Sequence, residues 1–205
     1  MRLSSTLGGV VCAVLAVLPG VAAAHNPLPG LEGFYVGLVH PLSTPDQALL
    51  LVGTALAFGS FSMPSLLPAF GALLLGLLAG LVWGQSDIES AQWLLVLAIC
   101  AAVWAALLPG RGHRLLVGLA VLSGFGLGWA SVPDAGATSD RAFTMSGSFF
   151  GAGLAILYLT GGVEVLRDRI KAHWLDISLR VIAAWVAAIA VIMLALSVAE
   201  PGLSA

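Results

Sequence analysis

Six stretches of almost unbroken apolar sequence follow one another along this chain, at residues 31–61, 64–83, 91–108, 115–131, 143–161 and 177–198. A hydrocarbon core of about 30 Å needs about 20 helical residues to cross it, and each stretch is close to that length or longer. Inside lipid a backbone must satisfy its own polar groups, and continuous apolar runs, unlike alternating ones, do so as helices. With 60% hydrophobic and 9% charged residues in 205, no soluble core could absorb this surface. The expected fold is therefore an all-α integral membrane bundle of about six spans, a single domain over residues 25–205 with links too short for a separate soluble domain. A net charge of -2, without any Lys/Arg cluster interleaved with aromatics, sets nucleic acid aside as a partner and leaves the lipid bilayer.

Residues 1–24 have the form of a secretory signal. Arg2 precedes an apolar run over 7–18 that is short for a span, and Ala22, Ala23 and Ala24 predict cleavage before His25. An uncleaved anchor is the alternative. Val11 ahead of Cys12 does not suit a lipoprotein site, and if Cys12 leaves with the signal, Cys100 remains alone and no intrachain disulfide is expected. Cleavage at that point also gives His25 a free amine beside its imidazole, a pair able to chelate a divalent ion. The other reading is a loose terminus.

Short cytoplasmic loops accumulate Lys and Arg. Arg111 and Arg114 fall between the third and fourth spans, Arg167, Arg169 and Lys171 between the fifth and sixth, and Arg180 flanks the same side. Asp87, Glu89, Asp134, Asp140, Arg141 and Glu200 fall on the other. The expected location is the bacterial inner (cytoplasmic) membrane, with both mature termini periplasmic.

The first span is interrupted by GLVHPLSTPDQ, residues 37–47. Ionisable groups in lipid cost about 2.5–3.5 kcal/mol on insertion scales, so they face a partner or a pathway. His40 and Asp46 are such a pair. Pro41 disfavours helix at His40, while Pro45 opens a new helix with Ser43 or Thr44 as its cap and Asp46 in its first turn. The expected result is a helix broken near Pro41–Pro45, of the kind that turns backbone groups and helix ends toward ions in transporters. Two roles stand side by side for the pair: a binding site or constriction, or a hydrogen bond from His40 to the Asp46 carboxylate that fastens the break, with Gln47 capping backbone groups.

Small residues recur four apart at Gly76, Gly80 and Gly84, at Gly124 and Gly128, at Gly147 and Gly151, and at Ala184 and Ala188. Such spacing allows close helix approach, either within the bundle or between copies. Residues 163–176 place Val163, Leu166, Ile170 and Trp174 on one face, which predicts an amphipathic interfacial helix. His113 and His173 read as loop histidines. No HExxH, GxSxG or phosphate-loop motif is present, and Ser146 or Ser148 with His40 is the remaining catalytic combination, so the chain reads as a non-enzyme.

The Ala-His end of the signal, the block GFYVGLVHPLSTPDQALLLVGTALAFG over residues 33–59 and a final apolar helix together resemble the HupE/UreJ family of membrane proteins. The resemblance implies nickel uptake or nickel supply to hydrogenase and urease, and a metalloenzyme maturation system or membrane complex as partner. The family's first span carries His, five residues, then Asp-His. Here His40, Pro41 and Asp46 match, and Gln47 stands where the second histidine would be. The family's histidine-rich fourth-span stretch falls near residues 125–134, which hold no histidine, and a further histidine in its fifth span corresponds to Tyr158. The metal contacts implied for this chain are His40 and Asp46, with Gln47 and His25 as additional polar contacts and nickel ahead of cobalt, copper or zinc as the ion. The competing function is a non-transporting assembly subunit that keeps the family scaffold.

Overall fold

The computed structural model describes residues 33–85, 90–133 and 138–203 of the protein, and side chains only as far as residue 199. The signal at 1–24, His25, Asp87, Glu89 and Asp134 lie outside the described residues, as does the Glu200 side chain. The described part is all-helical: α1 (Phe34–Ser43), α2 (Pro45–Phe58), α3 (Met63–Trp83), α4 (Ala91–Leu107), α5 (His113–Ala130), α6 (Thr138–Arg169) and α7 (His173–Leu203). Four stretches are long and apolar enough to cross a membrane, namely Met63–Trp83, His113–Ala130, Thr138–Arg169 and His173–Ala199, while α2 and α4 are shorter apolar helices.

α1 and α2 run one after the other alongside α6 and in the same direction. Gly147 meets Phe34, Gly151 meets Leu38 and, further along, Gly59 meets Val163. They form one line with a break in it. The break falls at Thr44, because Pro45 excludes the helical conformation from the residue before it and Thr44 is extended at φ -97°, ψ 118°. Pro41, expected to disturb the helix, instead lies buried inside α1.

The glycine stripes are internal seams. A Cβ on Gly76 or Gly80 would strike the Val121 or Phe125 carbonyl of α5, and one on Gly124 or Gly128 would strike the Leu73 or Leu77 carbonyl of α3. The same reciprocity joins α1 to α6 through Gly37, Gly147 and Gly151. Backbone contact this close is what small residues permit in lipid. Ala184 and Ala188 do not follow the pattern: both are exposed on α7, whose buried small positions are Ala183, Ala187 and Ala190.

α2 lies at the centre, against α1, α4, α5, α6 and α7. Its Leu50, Leu51, Ala57 and Phe58 are almost fully buried in one apolar cluster with Leu73, Leu94, Leu116 and Leu127. At its far end the corners converge. Gly110 N–H donates to Ser60 Oγ at 2.9 Å, His113 Nε2 reaches the Ser65 carbonyl at 2.6 Å, and Arg180 Nε donates to the Ala106 carbonyl at 2.6 Å. Arg111, Arg114, Arg167, Arg169, Lys171 and Arg180 thus belong to one end of the bundle. Residues 163–176 do not form one amphipathic helix. α6 ends at Arg169 and α7 begins at His173, with the Arg167–Asp176 (3.4 Å) and Lys171–Asp168 (3.1 Å) ion pairs holding the corner.

Candidate functional site

The helix break is made habitable by hydroxyls. The His40 carbonyl, near the end of α1, accepts from Thr44 N–H at 3.1 Å, Thr44 Oγ1 at 2.9 Å and Ser43 Oγ at 3.1 Å. Thr44 therefore turns its side chain back onto α1 and does not cap α2. Asp46 stands in the first turn of α2, at the positive end of that helix. Asp46 is 9% exposed and Gln47 1%.

The ring of His40 points at Gln47 and Thr44. Gln47 Nε2 lies 3.3 Å from His40 Nε2 and donates to the Ala130 carbonyl of α5 at 3.3 Å. That carbonyl fixes the amide orientation, since a flipped amide would set oxygen against oxygen. With Gln47 donating, His40 Nε2 accepts, and His40 Nδ1 lies 3.5 Å from Thr44 Oγ1. Ser131 closes the group: its Oγ donates to the Leu127 carbonyl at 2.7 Å and approaches Gln47 Oε1 at 3.4 Å. One proton serves the shorter bond best, so Gln47 Oε1 keeps most of its accepting capacity.

Of the residues expected here, the structure brings His40, Asp46 and Gln47 together. It does not join His40 to Asp46, which form no ion pair. The hydrogen bond expected between them is replaced by one to Gln47, seven residues on. Ala130 and Ser131 are contributors that sequence reading missed, because nothing local marks a carbonyl more than eighty residues away. Ser146 and Ser148 return their hydroxyls to the Phe143 and Thr144 carbonyls of their own helix. Tyr158 is 73% exposed on α6.

The donor set is mixed: one imidazole nitrogen, one carboxylate, one amide oxygen. Among the described residues no three His, Cys, Asp or Glu side chains form a group able to hold a metal ion. Counting α2 at 14 residues and about 1.5 Å each, the site stands about 21 Å from the basic end. Neither a known family, a curated protein nor a solved structure matches the chain.

Proposed function

We propose that this is a membrane permease or metal-delivery protein, of the plan the HupE/UreJ resemblance suggests, whose cargo is a divalent transition-metal ion bound by His40 and Asp46. The reading takes α1 and α2 as one interrupted span among six, follows a cleaved signal, and sets the basic end in the cytoplasm with both mature termini periplasmic. The observation that carries it is the His40 ring held by the buried Gln47 amide, with the buried Asp46 carboxylate one residue before it, at a helix break within an apolar bundle. A second supports it. The stretch near 125–134, where the resembled family is rich in histidine, supplies Ala130 and Ser131 to this same site.

Binding would proceed by exchange of donors. The lone pair of His40 Nε2 already faces a Gln47 N–H, so an ion reaches it only as Gln47 swings away and offers Oε1 in place of the amide hydrogens. That movement breaks the link to Ala130 and couples occupancy to the α2–α5 contact. Nickel and zinc accept imidazole and carboxylate donors together.

An assembly subunit is the second reading. It draws on the self-satisfied hydrogen bonds of the break and on α7, where 22% of the most apolar window is buried. Metal analysis of the purified protein, with proteoliposome uptake of nickel, cobalt, copper and zinc, separates the two. The permease reading expects uptake that His40→Ala and Asp46→Asn each abolish in protein that still inserts. Co-purification with a partner and indifference to both substitutions would favour the assembly subunit.

A further inference from the structure

α7 is the least enclosed of the four long apolar helices and packs chiefly on α4. Among the described residues a single side-chain hydrogen bond crosses the α4–α7 seam: Arg180 Nε donates to the Ala106 carbonyl, in the last turn of α4, at 2.6 Å. A cation suits that end of a helix, and the bond leaves the other guanidinium donors over. Arg180 is exposed and, among the described residues, pairs with no carboxylate; Asp176, one turn before it, is engaged by Arg167. Arg111, on the corner that follows α4, is likewise exposed and without an ion pair among those residues. From Arg180 toward the bilayer centre this side of the seam is apolar and low. Ala184 and Ala188 follow Arg180 at intervals of four, share its face of α7 and are both exposed. The antiparallel α4 sets Val103, one turn from Ala106, and Val96, two turns further on, beside them, also exposed. A guanidinium at the head of an apolar strip matches one chemistry: phosphate for the planar fork and hydrocarbon for the strip, as in the basic sites between membrane helices that take anionic lipid. A soluble anion would use only the first.

We propose that an anionic diacyl phospholipid docks on the outer side of the α4–α7 seam, its phosphate held by Arg180 with Arg111 adding to the positive field, and one acyl chain laid along Ala184 and Ala188. The lipid holds the weakly enclosed α7 against α4. With it is held the cluster in which Ala102 of α4 and Val186 and Ala187 of α7 pack on Leu49 and Leu56 of α2. The docking is thereby tied to the helix that opens with Asp46 and Gln47, yet it stands whether or not the His40 site takes a cation.

The test uses the full protein in detergent, titrated with phosphatidylglycerol or with phosphatidylcholine of the same acyl chains, and read by thermal melting and by native mass spectrometry of retained lipid. Phosphatidylglycerol should raise the melt and be retained, and phosphatidylcholine should do neither to the same degree. Arg180→Gln should weaken phosphatidylglycerol binding about fivefold. Its lipid-free melt should stay near that of the parent, because the glutamine amide can still donate to the Ala106 carbonyl. Arg180→Lys, which restores the charge, should recover most of the binding. Ala184→Leu, which fills the strip and leaves every charge in place, should also weaken binding, and it carries the test alone if Arg180→Gln cannot be purified. Equal effects of the two lipids, or parent-like phosphatidylglycerol binding in Arg180→Gln or in Ala184→Leu, would overturn the proposal. Full reproduction of the effect by inorganic phosphate would overturn it as well, by showing a site for a free anion only.

Discussion

α5 meets two neighbours with opposite chemistry. Toward α3 it presents Gly124 and Gly128, laid against the Leu73 and Leu77 carbonyls, and receives Gly76 and Gly80 in return. Toward α2 it presents Ser123, the Ala130 carbonyl and Ser131, joined by bonds of 3.3 to 3.4 Å. The first seam has almost no side chain to rearrange, so any change there displaces backbone. The second is made of bonds at or beyond the long edge of the usual range, and water or an ion can replace them. α3 and α5 should therefore move as one body, as should the glycine-joined α1 and α6, and α2 is the helix able to part from α5. A polar site at the head of α2 stands where such a movement is felt.

Breaking the glycine seam should have the largest effect. Gly128→Leu cannot be accommodated without pushing α3 away, and overpacking of this kind costs about 3 kcal/mol or more. Little monodisperse protein should be recovered in detergent. Gln47→Ala comes next. It strips a donor from the Ala130 carbonyl and from His40 Nε2, and should lower thermal stability by about 1–2 kcal/mol while the fold survives. A larger loss for Gln47→Ala than for Gly128→Leu would reverse the roles assigned to the two seams. Thr54→Val removes one buried hydroxyl pair in lipid, worth about 0.6 kcal/mol on average, and should shift the detergent melt slightly. Ala184→Leu, on the outward face of α7, should change stability by less than about 0.5 kcal/mol. A change in oligomer mass for that variant would instead identify the face as a contact between copies.

The helices were legible in the sequence wherever lipid sets the pattern. The apolar runs at 64–83, 91–108 and 115–131 agree within a residue or two with Met63–Trp83, Ala91–Leu107 and His113–Ala130. The run at 143–161 underestimates Thr138–Arg169, because hydropathy measures the hydrocarbon layer and a helix continues past it through Asp140 and Arg167. The break was legible from Pro45, whose effect on Thr44 is local and steric, whereas Pro41 was misleading: a proline costs a helix one donor, and a segment clamped to α6 by Gly37 and Gly147 tolerates that. In the site, His40 and Asp46 were visible as ionisable residues in an apolar run. Their partners were not. Gln47 reaches His40 across the break, and Ala130 contributes only a carbonyl, which every residue carries and no residue type announces.

Equilibrium nickel binding to purified protein, compared among the parent, His40→Ala and Gln47→His, is the most direct test of the central claim that the helix break is a cation site gated by Gln47. The expected result is binding by the parent, none detectable in His40→Ala, and affinity raised about tenfold or more in Gln47→His, where a second imidazole replaces the amide that blocks His40 Nε2. Parent-like binding in His40→Ala, with no gain in Gln47→His, would contradict it and leave the break a fastening between α1, α2 and α5.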